Sequence, residues 1–345
     1  MKTTEKKKQS TEITPEETIE QLQKIFKEKG SRALEMARKE ILQEKIECKE
    51  ARKALTYFMT EYWQDRARPT LLSLVCEAVG GDPELTTPIA VSMILISGAL
   101  DMHDDIIDRS ETKDGRSTVF GKFGKDIALL VGDALLFKGL ALLSQAQEDG
   151  VPAEKIQSII DIVQRMFFEL GDAEALELQL RGRLDISPRK YLQIVRKKAA
   201  DVEAHTRIGA IIGNASPIEI EAFGAYGRLL GMLIILRDDW IDILDFREFH
   251  QRVKNECLPL PILYGMHNQL VKNKLGSLLQ SEIITEKKAK RILEMTLEAG
   301  VIENYRKVMR VLADKATATL GEIKYDTKGL RLLVNATLLS IAEAV

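Results

Sequence analysis

Cysteine is scarce in this chain, and its three residues, Cys48, Cys76 and Cys257, stand far apart without paired spacing. That excludes a disulfide framework and a cysteine-based zinc site, and makes a reducing cytoplasm the expected surroundings. An excess of charge of either sign is also missing: 50 Lys and Arg face 52 Asp and Glu, a formal net charge of -2. No bulk basic field marks the chain for nucleic acid or an anionic membrane, so any polyanion must be gripped locally. Long apolar runs are absent as well. The longest, Pro88 to Leu100, is about 13 residues where a membrane span needs about 20. The start, Met1-Lys2-Thr3-Thr4-Glu5-Lys6-Lys7-Lys8, is charged and lacks the apolar core of a secretory signal, so a soluble protein without a transmembrane segment is expected. Glycine-rich phosphate loops are missing too, and with them any support for nucleotide binding.

What is present is enough apolar residue, 45% of 345, for a sizeable core. Apolar positions recur at three- and four-residue spacing, and no segment alternates with a period of two, so the chain reads as all α. Thr14-Pro15-Glu16-Glu17 has the form of a capped helix start, with residues 1–13 ahead of it expected as a flexible tail. Breaks fall at Gly80-Gly81-Asp82-Pro83, Asp114-Gly115, Asp149-Gly150-Val151-Pro152, Ser187-Pro188, Asn214-Ala215-Ser216-Pro217, Pro259-Leu260-Pro261 and Ala299-Gly300, leaving room for ten or so helices. No linker divides the chain, so residues 1–345 are expected as one helical-bundle domain.

Ile89 to Leu100 and Leu229 to Leu236 are apolar nearly all round, as helices in the middle of a large bundle are. Each runs directly into an aspartate cluster: Asp104-Asp105-Ile106-Ile107-Asp108 and Asp238-Asp239-Trp240-Ile241-Asp242. On a helix, Asp101, Asp104, Asp105 and Asp108 share one face, and Asp238, Asp239, Asp242 and Asp245 form a similar stripe. Stacked like charges oppose one another, so something cationic should offset them. With four histidines in the chain and no cysteine nearby, the ligands on offer are oxygens, which favour a hard cation such as Mg²⁺. One cluster alone also reads as a solvated helix face with Arg109 or Arg237 as partners. Two facing clusters could instead hold metal ions that pull on a diphosphate leaving group.

Further matches lie in order around these motifs: Arg66-Ala67-Arg68-Pro69, His103, Gly132-Asp133, Lys198 and Leu258-Pro259-Leu260-Pro261. Together they make the chain resemble the trans-isoprenyl diphosphate synthases, the polyprenyl synthetase family, over nearly its whole length. The resemblance implies an isoprenoid-synthase-type helical bundle, usually a homodimer, with a central cavity under the two motifs. It implies Mg²⁺ held by Asp104, Asp105, Asp108, Asp238, Asp239 and Asp242, and an allylic prenyl diphosphate also touched by Lys198. The allylic substrate would ionise and isopentenyl diphosphate would capture the cation. Residues on the helix below the first motif, Leu100, Ala99 and Ile96, would set product length, and their modest size implies a long prenyl chain.

The match breaks where that family grips isopentenyl diphosphate. Its glycine-lysine-x-x-arginine loop reads Gln64-Asp65-Arg66-Ala67-Arg68 here, its histidine falls on Ser97, and its arginine pair falls on Lys113-Asp114. Arg68 alone survives of four donor groups, and Asp65 and Asp114 put carboxylates where a diphosphate belongs. Arg66 and Lys113 remain as candidate substrate-binding cations. The expected activity is therefore prenyl transfer to isopentenyl diphosphate or to another acceptor, with terpene-like cyclisation or a noncatalytic subunit of a heteromeric synthase as the competing readings. His205, His250 and His267 read as structural, Trp240 as cavity wall or core, and Phe246 to Cys257 looks short for the family's lid.

Overall fold

The structure is a computed structural model that describes residues 14–281, 283–298 and 300–342. The expected tail at 1–13 lies outside them. The described residues form sixteen α-helices, a turn of π-helix (Phe58–Tyr62), a turn of 3-10 helix (Pro83–Thr86) and one short hairpin. In chain order the helices are α1 (Pro15–Leu42), α2 (Lys49–Tyr57), α3 (Ala67–Ala78), α4 (Thr87–Ile107), α5 (Val119–Phe123), α6 (Lys125–Gln145), α7 (Ala153–Leu180) and α8 (Pro188–Lys198). They continue as α9 (Ala200–Ile212), α10 (Pro217–Asp242), α11 (Phe246–Asn255), α12 (Leu260–Met266), α13 (Lys272–Leu279), α14 (Glu286–Glu298), α15 (Val301–Thr319) and α16 (Lys328–Ala342). Thr14 and Ser216 cap α1 and α10 in the same way. Each side chain accepts from the amide three residues on, while Glu17 or Glu219 reaches back to the cap's own N–H.

Two apolar cores meet at the middle of the molecule. One surrounds α4 with α1, α2, α6, α7 and α9, and the other surrounds α10 with α3, α8, α12, α14, α15 and α16. In α4, Ile89, Val91, Met93, Ile94, Leu95 and Ile96 are all buried, each contributing about 1.5–3 kcal/mol. That anchorage fixes the helix end where the first cluster begins. α4 can lie close to α6 because Gly139 has no side chain: a Cβ there would fall 2.7 Å from Ile96 Cγ1 and 2.9 Å from the Ser92 carbonyl.

Two features depart from the sequence reading. The helical segments Pro83–Ile107 and Lys125–Gln145 are long and apolar enough to cross a membrane, although 72% of the first one's apolar window and 33% of the second's are buried inside the protein. Counting uninterrupted apolar residues underestimated both, because single polar residues broke the runs. The other is a hairpin of β1 (Thr112–Lys113) and β2 (Arg116–Ser117), too short for any period to show. Its turn residues, Asp114 and Gly115, take φ 51° and 71°, the left-handed pair that a tight hairpin requires.

Candidate functional site

The last turns of α4 and α10 carry the two aspartate clusters, each at the negative end of a helix dipole. Between them opens a cavity of about 860 Å³. Asp101, Asp104, Asp108, Asp238 and Asp242 line it, together with Arg68, Lys113, Lys198 and the apolar side chains of Leu100, Phe167, Leu170, Ile194, Ile234 and Ile235. The second aspartate of each motif does not. Asp105 is 3% exposed and Asp239 is 0% exposed, and both point into protein instead of the cavity.

Asp105 hydrogen-bonds to Tyr62 and lies 4.0 Å from the Lys113 ammonium. Burial outweighs that cation and pushes its carboxyl up to about 7. Asp239 accepts from the Tyr191 hydroxyl on both oxygens at 2.8 Å and from the Leu260 amide at 3.4 Å, with Arg252 at 2.9 Å. Burial likewise raises it to about 7.

The first cluster gathers acids from another helix. Asp104, Asp108 and Glu174 of α7 each offer a carboxylate oxygen, all within 4.8 Å of one another. Burial and the neighbouring carboxylates raise both Asp108 and Glu174. Lys198, at the end of α8, reaches Glu174 at 3.0 Å and also pairs with Glu177. Those carboxylates hold its ammonium well above the ordinary lysine range, so it stays charged.

The second cluster is closed by α11. Arg252 bonds Asp242 at 2.7 Å and Asp239 at 2.9 Å, with Glu256 at 3.6 Å. From the same helix, Gln251 donates to the Asp108 carbonyl at 2.7 Å, so α11 ties the ends of α4 and α10 together. Asp238 pairs with Arg237 at 2.7 Å. Asp245, read as part of the stripe, instead caps α11 by accepting from the Arg247 and Glu248 amides.

Other expected residues fall in mixed places. His103 lines the cavity and meets Asp133 at 3.2 Å; Gly132 leaves it room, since a Cβ there would lie 2.7 Å from His103 Nε2. Ala99 and Ile96 do not reach the cavity. The positions of α4 and its cap that face it are Ser97, Leu100, Asp101, His103, Asp104, Ile107 and Asp108, while Ile96 and Ala99 turn into the core, Ile96 on the α6 side. The size-based expectation of a long product therefore loses two of its residues. Arg66 also lies outside the lining, packed against α1 at Gly30. Trp240 is core, 5.7 Å from the Tyr305 ring. Sequence reading missed Glu174, Glu177, Arg252, Glu256, Asp201 and Tyr191. A signal existed for the first two, which are acids three apart in the otherwise small and apolar run Ala173 to Leu178.

The polyprenyl synthetase family model matches residues 49–296. The short chain isoprenyl diphosphate synthase of Methanothermobacter thermautotrophicus is 33% identical over 184 residues, 53% of this chain and 55% of that protein. The match to the geranylgeranyl diphosphate synthase of Methanosarcina mazei, 31% over 194 residues, covers 56% of this chain and 59% of that protein, so the chain spans little more than half the length of these relatives. The octaprenyl diphosphate synthase of Escherichia coli is 27% identical over 280 residues, 77% of this chain and 82% of that protein. Among solved structures, the geranylgeranyl pyrophosphate synthetase of Pyrococcus horikoshii superposes with a TM-score of 0.80 at 23% identity, covering 94% of this chain and all of that one. With the all-helical bundle, its central cavity and a family match across most of the chain in hand, this protein belongs to the polyprenyl synthetase family.

Proposed function

We propose that this chain is a magnesium-dependent prenyltransferase that ionises an allylic prenyl diphosphate and passes the prenyl group to isopentenyl diphosphate or another acceptor. The carrying observation is the carboxylate group of Asp104, Asp108 and Glu174, lining the same cavity of about 860 Å³ as the apolar side chains of Leu100, Phe167, Leu170, Ile234 and Ile235. Oxygen donors without histidine or cysteine suit a hard cation, and these three, with Asp238 and Asp242 on the facing helix, would hold Mg²⁺. An ion held by these carboxylates would supply positive charge against the departing diphosphate.

The chain's own residues do the rest. Lys198 keeps its proton and supplies a fixed positive charge to the diphosphate oxygens. As the carbon–oxygen bond breaks, its electron pair leaves with the diphosphate. Leu100, Phe167, Ile234 and Ile235 exclude water from the carbocation until the acceptor captures it. Incubation with geranyl, farnesyl and geranylgeranyl diphosphates and Mg²⁺ should release diphosphate, and a chelator should stop it. Failure to release it from any of the three, with or without acceptor, sinks this reading.

A homodimer and a cytoplasmic setting complete the proposal. α6 exposes Leu129, Leu130, Phe137 and Leu140, an apolar face suited to a second copy. Phe137→Glu should then convert a dimer to a monomer in light scattering. Cys48, Cys76 and Cys257 are all free, as a reducing compartment would leave them.

A further inference from the structure

We propose that the acceptor of this enzyme carries no phosphate and is an alcohol or an amine, uncharged or cationic. The inference rests on the prenyl-transfer reading above. Away from α7, α10 and α11 the cavity has a polar corner, built by α3, α4 and α9 from Arg68, Ser97, Asp101 and Asp201, and the hairpin's Lys113 and Asp114 also line the cavity. Arg68 is its only cation, and it is fully engaged: Asp201 at 2.7 Å, Asp65 at 2.9 Å, Asp101 at 3.7 Å, with the Trp63 ring centred 5.5 Å from the guanidinium carbon. Asp201 in turn accepts from the Ser97 hydroxyl at 3.4 Å and faces His205 Nδ1 at 3.3 Å. Lys113, the next cation, lies 4.0 Å from Asp105, and its chain neighbour Asp114 adds a further carboxylate to the lining.

One guanidinium among three carboxylates leaves the corner negative. A diphosphate entering it would meet Asp101 and Asp201 and would have to strip Arg68 from partners it already has, a loss of at least about a hundredfold in affinity. An O–H or N–H group meets the opposite situation, with carboxylate oxygens ready to accept it. Asp101 has the freest of these, with no cation nearer than Arg68 at 3.7 Å. In the transfer, the allylic carbon–oxygen bond breaks and its pair leaves on the diphosphate. An amine that enters as its ammonium first gives one proton to solvent; the acceptor's lone pair then closes the new carbon–oxygen or carbon–nitrogen bond, and the proton shed by the resulting oxonium or ammonium passes to the Asp101 carboxylate.

The test uses the full chain saturated with Mg²⁺ and farnesyl thiolodiphosphate, whose sulfur leaving group suppresses turnover. Three probes with one carbon skeleton are titrated by calorimetry: isopentenyl diphosphate, isopentenol and isopentenylamine. The alcohol and the amine should bind, and the diphosphate at least about tenfold more weakly. Asp65→Asn with Asp201→Asn should reverse that order by freeing Arg68. Asp114→Asn, at an exposed turn with φ 51° that asparagine accommodates, should shift it the same way by less and serves if the double variant does not fold. Tighter binding of isopentenyl diphosphate than of both neutral and cationic probes overturns the proposal, as does absence of binding by alcohol and amine alike. A protein that orders the probes as expected yet never releases diphosphate from farnesyl diphosphate keeps the corner's preference and loses the prenyl-transfer reading.

Discussion

The two aspartate motifs are built on one plan and finished differently. In each, the first and last carboxylates line the cavity while the second turns inward to a tyrosine and a cation: Tyr62 and Lys113 for Asp105, Tyr191 and Arg252 for Asp239. The finishing differs in how tightly the cation is held. Lys113 is half exposed and stands 4.0 Å away, whereas Arg252 is 16% exposed and bonds two aspartates of its cluster at 2.7 and 2.9 Å. The first cluster instead collects further acid from α7, so that Asp104, Asp108 and Glu174 face Lys198, Arg181 and, beside Asp104, Lys113. The second cluster thus brings its own counterion, and the first holds more acid than base.

That difference predicts which cluster controls turnover and which controls stability. Asp104→Asn or Asp108→Asn should lower diphosphate release by roughly two to four orders of magnitude, because each removes a charged oxygen donor from the group proposed to bind metal. Unchanged release in both would remove the metal mechanism. Arg252→Gln acts on the other side: it strands Asp239 in the interior, and urea denaturation should show a loss of about 3–5 kcal/mol. Lys113→Gln, the equivalent change at the first cluster, should cost under about 1 kcal/mol because its cation is exposed. Equal losses would erase the contrast.

Protons sharpen it further. Asp101 is raised to about 6 and Asp105 and Asp239 to about 7, all chiefly by burial. Unfolded carboxyls titrate near pH 4, so between about pH 4 and pH 7 the metal-free folded protein holds protons that the unfolded chain has released. Its stability should therefore fall as pH rises through that window. Mg²⁺ should restore the melting temperature at about pH 8 and do little at about pH 5, where Asp101 and Asp105 already carry protons. Equal rescue by Mg²⁺ at both values would place its binding elsewhere.

The motifs were legible because four aspartates at helical spacing, each set ending an apolar run, leave few structural uses for that much charge. What completes them was not. Glu174 lies some seventy residues from Asp104 and joins it only because α7 packs beside the cavity. Arg252 read as part of a shortened lid, since nothing in Phe246 to Cys257 says that the helix folds back onto Asp242. Ile96 and Ala99 stand one helical step from the lining residues Ser97 and Leu100, an offset that spacing alone does not expose. The acceptor corner was half legible: Asp65 and Asp114 marked the loss of a diphosphate grip, while Asp201, which takes Arg68 out of use, came from a helix the motif never touched.

The smallest expected effect separates the two inward aspartates themselves. Tyr191 is fully buried and gives its hydroxyl to both oxygens of Asp239, so Tyr191→Phe removes the hydroxyl of a dry, charge-assisted contact and should cost about 1.5 kcal/mol. Tyr62 is only half-buried beside Asp105, where solvent can take over its role. Tyr62→Phe should therefore cost under about 1 kcal/mol in the same denaturation assay. If the order were reversed, Asp105 and not Asp239 would be the more deeply committed of the pair, and the assignment of the second cluster as the self-neutralised one would have to be exchanged with the first.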